Sequence, residues 1–68
     1  MLIIDTHITK RQQEIVKRQA TGETEQSVAI HMGISINTVR YHKKKLFKTL
    51  NVNCMPEAIF ILKNKKVI

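Results

Sequence analysis

Tryptophan is absent from this 68-residue chain, cysteine and proline occur once each, and glycine occurs twice. A single cysteine excludes an internal disulfide framework and suits a reducing cytoplasm, so Cys54 is expected to be a small buried or half-buried packing residue. One proline, two glycines and no Asn-Gly pair to close a two-residue hairpin argue against an all-β chain. Acid is scarce too. Five Asp+Glu stand against twelve Lys+Arg, a net charge of +7. Scattered acids offer no paired carboxylates for general acid–base work, and no Ser/His/Asp arrangement exists, so the chain is not expected to be an enzyme. His7, His31 and His42 share no i,i+3 or i,i+4 spacing and Cys54 has no near partner, so no metal or cofactor is expected. The longest apolar start, "MLII", has no basic flank or cleavage site and is far short of a membrane span. Neither a secretory signal, a membrane partner nor a small-molecule ligand is expected.

What remains is a short, basic, apolar-patterned chain. It is one domain, and at this length it buries only about 60% of the surface its unfolded form exposes, so a partner or a second copy would help it. Residues 1–7 read as a lead-in, with Leu2, Ile3 and Ile4 either covering part of the core or fraying. Residues 8–68 read as the domain. The first helix is "ITKRQQEIVKRQATG". Thr9 and Gln12 form a capping box, Ile15, Val16 and Ala20 mark its inward stripe, and Gly22 ends it. The second helix, "TEQSVAIHM", takes Thr24 as its cap and Glu25 as complement to the helix dipole, with Val28, Ala29 and Met32 inward and Gly33 at its end. Ser35 caps a third helix running to about Leu50, where Asn51 accepts a left-handed turn. Ile34 and Val39 make a hydrophobic staple across its start. The fourth, "MPEAIFILKNKK", has Pro56 in its first turn. The fold class is all-α, four helices with short loops.

The second and third helices carry the spacing of a helix-turn-helix. Ala29 is small where two helices cross, Gly33 supplies positive φ in the tight turn, and Val39 plugs the second helix into the core. On a wheel of about 100° per residue, Leu46, Leu50, Ile36 and Phe47 fall within roughly 80° of Val39. Asn37, Tyr41, Lys44, Lys45 and Lys48 gather opposite, with Arg40 and Thr38 flanking. Lys43 lies near the apolar stripe and is expected to lay its methylenes on the core and push its ammonium outward. No acidic residue lies between Ser35 and Met55, so relief of this charge is expected from outside the chain.

That outward face suits the major groove of double-stranded DNA, which admits one α-helix. Arg40 can fork to guanine O6/N7, Lys44 can reach the same edge as a point charge, and Tyr41 offers a ring for a thymine methyl. Those three are the expected base contacts. Asn37 and Thr38 lie where the helix start favours phosphate, and Lys45 and Lys48 are placed along the backbone. Lys63, Lys65 and Lys66 either reach phosphate or are solvated. His42, beside the apolar side, is expected to pack and hydrogen-bond within the domain. In the fourth helix Ile59 and Leu62 are expected in the core. Phe60 and Ile61 point elsewhere and suit either a dimer contact or packing on Leu2–Ile4.

The string Ile34-Ser35-x-x-Thr38-Val39-Arg40-x-His42 resembles the LuxR-type (GerE-type) helix-turn-helix DNA-binding domain. Thr9, Arg11, Glu14, Ala20-x-Gly22, Val28-Ala29, Leu46, Leu50, Val52, Glu57, Ala58 and Val67-Ile68 extend the resemblance over residues 8–68. It implies four helices, the third in the major groove, the fourth often a two-fold dimer interface, DNA contacts at Arg40, Tyr41 and Lys44, and phosphate contacts near Ser35, Asn37 and Thr38. Departures are Gln12, Ser27 and Met55, where the family usually has Glu, Glu and Arg, which suggests that one polar network has been replaced as a whole. Arg18 stands where an apolar residue is usual, so the first helix is expected to be less well covered. Lys45 stands where Asn is common. The family's usual sensor or receiver domain is not in these residues, so control is expected from expression level, partner proteins or competition for DNA.

The expectation is a cytoplasmic, nucleoid-associated, sequence-specific transcription regulator, dimeric through Phe60 and Ile61, with recognition helices about 34 Å apart. Two other readings stand beside it. One is an interaction module that binds another LuxR-type regulator or RNA polymerase. The other is a non-specific duplex binder.

Overall fold

A computed structural model describes residues 8–68, and the expectations for Leu2–Ile4 and His7 lie outside them. Four helices follow in order: α1 Lys10–Ala20, α2 Glu25–Met32, α3 Ile36–Leu50 and α4 Met55–Asn64. No strand occurs among the described residues. The starts of α1–α3 are set by side-chain oxygens. Thr9 Oγ1 accepts from the Gln12 amide at 3.1 Å, and Gln12 Oε1 accepts from the Thr9 amide at 3.0 Å, which closes the capping box. Thr24 and Ser35 accept from the amides three residues on, at 3.1 and 3.0 Å. At α4 the cap is different. Cys54 makes no capping bond there, and Glu57 reaches back to accept from the Asn53 amide at 3.1 Å.

All four helices stop in the same way. A residue of positive φ follows the last turn, and the next amide donates to a carbonyl five residues back. Gly22, Gly33, Asn51 and Lys66 hold the positive φ. The closing bonds run from Glu23, Ile34, Val52 and Val67 to the carbonyls of Arg18, Ala29, Phe47 and Leu62. Lys66 ends α4 at Asn64, two residues before the expected end, because the chain has already turned left-handed.

The core has two clusters. Val16, Leu46, Leu50, Ala58 and Leu62 form one, joined by half-buried Phe47, Val52, Ile59, Val67 and Ile68 among others. Ile15, Val28, Ala29 and Val39 form the second, with Met32, Ile34 and Ile36 around them. Adjacent Ile15 and Val16 on α1 each enter a different cluster, and Met55 touches both. Each fully buried Ile, Leu or Val contributes about 1.5–3 kcal/mol, so this packing outweighs any single surface ion pair.

Three expectations about packing are corrected. Ala20 is exposed, since α1 ends there. Cys54 is exposed, because it precedes α4 in extended backbone rather than lying on the helix's inward stripe. Ile61 is half-buried against the first cluster, not free like Phe60. Ala58, fully buried, is a core residue that hydropathy alone passes over. Arg18 does not leave α1 uncovered. It donates to Glu14 at 3.1 Å and to Glu23 at 3.3 Å, so a charged residue links α1 to the following loop.

The three unusual uncharged positions have separate roles. Gln12 is buried as the reciprocal cap, Met55 is apolar filling between clusters, and Ser27 donates to Glu23 at 2.9 Å. Among the described residues no helix is long and apolar enough to cross a membrane.

Candidate nucleic-acid interface

The turn between α2 and α3 is three residues long. Gly33 takes φ 67° with no atom within 4 Å of where a Cβ would stand, so backbone conformation rather than crowding selects glycine there. Val39 and Leu46, both fully buried, fix the inner side of α3. That orientation leaves Asn37, Arg40, Tyr41, Lys44, Lys45 and Lys48 exposed, as the wheel required.

Within this face the structure brings several expected residues together. Lys45 Nζ stands 5.3 Å from the centroid of the Tyr41 ring, a cation–π contact that orients both side chains. Tyr41 in turn meets His42 edge-on, with ring centroids 5.7 Å apart. His42 is half-buried as expected, but it hydrogen-bonds to no described residue. The edge-on contact with Tyr41 is the aromatic contact the structure gives it. Ser35 Oγ and Thr38 Oγ1 are 2.8 Å apart. One hydroxyl proton lies between them and the other remains free to donate outward, beside the amides at the start of α3. Lys44 and Lys48 have no acidic partner among the described residues.

The expectation that relief of charge comes only from outside is corrected. Glu25, in the first turn of α2, accepts from Lys43 Nζ at 2.9 Å and from Arg40 Nε at 3.2 Å. Lys43 therefore does not push its ammonium into water. Its charge meets an internal acid, and its side chain is only 15% exposed. Sequence reasoning read Glu25 solely as a dipole complement. The flank of the wheel holding Arg40 and Lys43 was the available signal, since that flank is the one turned toward α2.

These contacts set the local electrostatics. The Lys43 ammonium, with the Arg40 guanidinium behind it, holds the Glu25 carboxyl below the ordinary glutamate range. A second acid, Glu23, accepts from His31 Nδ1 at 2.8 Å, from Ser27 and from Arg18. His31 first, then Ser27 and Arg18, likewise lower its pKa. Elsewhere, Phe60 is 67% exposed and borders an open groove of about 340 Å³ with Val52, Pro56, Glu57 and Ile61.

The family described as bacterial regulatory proteins, luxR family, matches residues 6–62. Probable transcriptional regulatory protein SgaR of Hyphomicrobium methylovorum is 41% identical over 52 residues, covering 76% of this chain and 25% of that protein. Regulatory protein SdiA of Escherichia coli is 36% identical over 47 residues, covering 69% of this chain and 20% of that protein. The chain thus spans a quarter or less of the length of these relatives. No solved structure matches it.

Proposed function

The chain belongs to the luxR family of bacterial regulatory proteins, and we propose that it regulates transcription by binding specific double-stranded DNA with α3 in the major groove. The observation that carries this reading is the exposed side of α3. Arg40, Tyr41, Lys44, Lys45 and Lys48 share it with no carboxylate from α3 itself, while Val39 and Leu46 anchor the reverse side. Arg40 and Lys44 read base edges, Tyr41 packs on a thymine methyl, and Ser35, Asn37, Thr38, Lys45 and Lys48 hold phosphates. Phosphate positions set the docking register, and the arginine and tyrosine supply the preference.

The assembly we propose is a homodimer through α4. Phe60 supports it, being a large apolar side chain at the rim of an apolar groove. Two-fold symmetry would then place two copies of α3 about 34 Å apart on half-sites one helical turn apart.

The test is selection of bound sequences from a DNA duplex pool with a randomised core. The expected product is a two-fold-related consensus. Arg40→Ala and Tyr41→Ala should flatten the preference at individual base pairs while weak binding persists. Lys48→Ala should weaken all duplexes alike and lower the salt slope by about one. Equal affinity for every duplex would reduce the function to non-specific binding. Indifference of DNA binding to Arg40 and Tyr41 would favour an interaction module for RNA polymerase or another regulator.

A further inference from the structure

Glu25 is not on the recognition face, yet it holds the residue there with the most specific hydrogen-bonding geometry. We propose that Glu25 is a specificity-determining positioning residue, which orients the Arg40 guanidinium so that its two terminal nitrogens address a guanine. The inference rests on the reading of α3 as the groove-entering helix.

Glu25 is fixed at both carboxylate oxygens. Oε2 accepts from Lys43 Nζ at 2.9 Å and Oε1 accepts from Arg40 Nε at 3.2 Å. Lys43 is the less exposed of the two cations, 15% against 59% at the side chain, so it serves as the firm end of the bridge. Arg40 is the free end. Its Nε is engaged, and neither terminal nitrogen hydrogen-bonds to a described residue. A guanidinium is planar, so one bond at Nε, on the side of the stem, restricts the plane in which Nη1 and Nη2 project. Two parallel N–H donors are what O6 and N7 of guanine accept.

The carboxylate has a second effect. A negative charge beside Arg40 opposes close approach of a phosphate to the same guanidinium. Glu25 therefore weakens the sequence-independent use of Arg40 as a phosphate clamp while supporting its use as a base reader. An Arg side chain without the brace loses more rotamer freedom on binding and has the phosphate as a competing partner.

The experiment measures the full chain on fluorescent duplexes carrying the site selected from the randomised pool and each single base-pair change in it. Thermal melts confirm folding of each variant. Arg40→Ala should identify the base pair it reads, by a loss of preference there of about 5- to 150-fold. Glu25→Gln keeps the size and removes the charge, and Glu25→Ala removes the acceptor as well. Both should cut preference at that same base pair, by about three- to tenfold, and raise affinity for an unrelated duplex. In an Arg40→Ala background, Glu25→Gln should leave the preference unchanged. Two results would overturn the inference while sparing the DNA-reading helix. One is full preference in both Glu25 variants where Arg40→Ala abolishes it. The other is a uniform gain of affinity for all duplexes, which would make Glu25 a mere competitor for Arg40. If the unmodified chain selects no sequence, the proposed function and this inference fall together.

Discussion

Glu23 and Glu25 stand on either side of Thr24, the cap of α2, and look toward opposite neighbours. Glu23 turns to α1 and its own helix, accepting from Arg18, Ser27 and His31. Glu25 turns to α3, accepting from Arg40 and Lys43. Charge, residue type and side-chain exposure, 21% and 29%, are close. What separates them is the far end of each partner. Those of Glu23 sit on the α1–α2 side, so that cluster ends in itself. One partner of Glu25 continues onto the cationic side of α3. The same carboxylate thus ties helices together in one place and tunes an outward-facing side chain in the other.

The largest effect expected of any substitution here concerns neither acid. Leu46→Ala should cost about 2–5 kcal/mol, measured by urea unfolding, because Leu46 is fully buried in the first cluster. That is comparable with the whole stability of so small a domain, and it sets the scale against which both acids are secondary. If Glu23→Gln or Glu25→Gln cost as much, ion pairing rather than packing would hold the helices.

Acid titration should show the next largest effect. Both carboxyls have folded pKa values below the ordinary 4.5, so the native state binds fewer protons than the unfolded state near that pH. Their contribution is complete above the ordinary value and is lost as pH falls through it toward the lowered values. Thermal melts from about pH 7 down to pH 3 should therefore show falling Tm on the acid side, and each Gln variant should flatten part of that limb. At neutral pH, Glu23→Gln should lower Tm without altering which duplex is preferred. Glu25→Gln should do the reverse in emphasis. Equal shifts of preference in the two variants would dissolve the distinction between them.

The smallest effect has the opposite sign. Lys66 holds φ 57°, a conformation glycine adopts without a side-chain penalty. Lys66→Gly should stabilise the chain by up to about 1 kcal/mol, seen in chemical unfolding, less whatever backbone entropy glycine adds to the unfolded state. It would supply a background in which both acid variants remain folded for comparison. A loss of stability would mean that the Lys66 side chain has a role beyond its backbone.

Most helix starts and stops were legible because each is written within a few residues; the end of α4 was not, since a lysine gives no signal of the left-handed turn that Lys66 makes. Thr9 with Gln12, Thr24, Ser35, Gly33 and Asn51 all act on amides or carbonyls one turn away. The outward face of α3 was legible for a similar reason, since the wheel needs only the helical repeat. The bridge from Glu25 to Lys43 spans 18 residues and depends on how α2 crosses α3, which no local pattern encodes. Exposure of Cys54 and Ala20 was misjudged on the same ground, because a residue type says nothing about whether a neighbour crosses it. Ala58 was passed over because a methyl group carries little hydropathy, although it is fully buried in the first cluster.

The repeated left-handed stop has a kinetic consequence. Because every boundary is encoded by sequence neighbours, each segment can find its limits before it meets another, and successive helices are also neighbours in space. The one long closure left to the chain is the docking of α1 on α3 and α4 through Val16, and its relaxation after a temperature jump should fall in the microsecond-to-millisecond range of small helical domains.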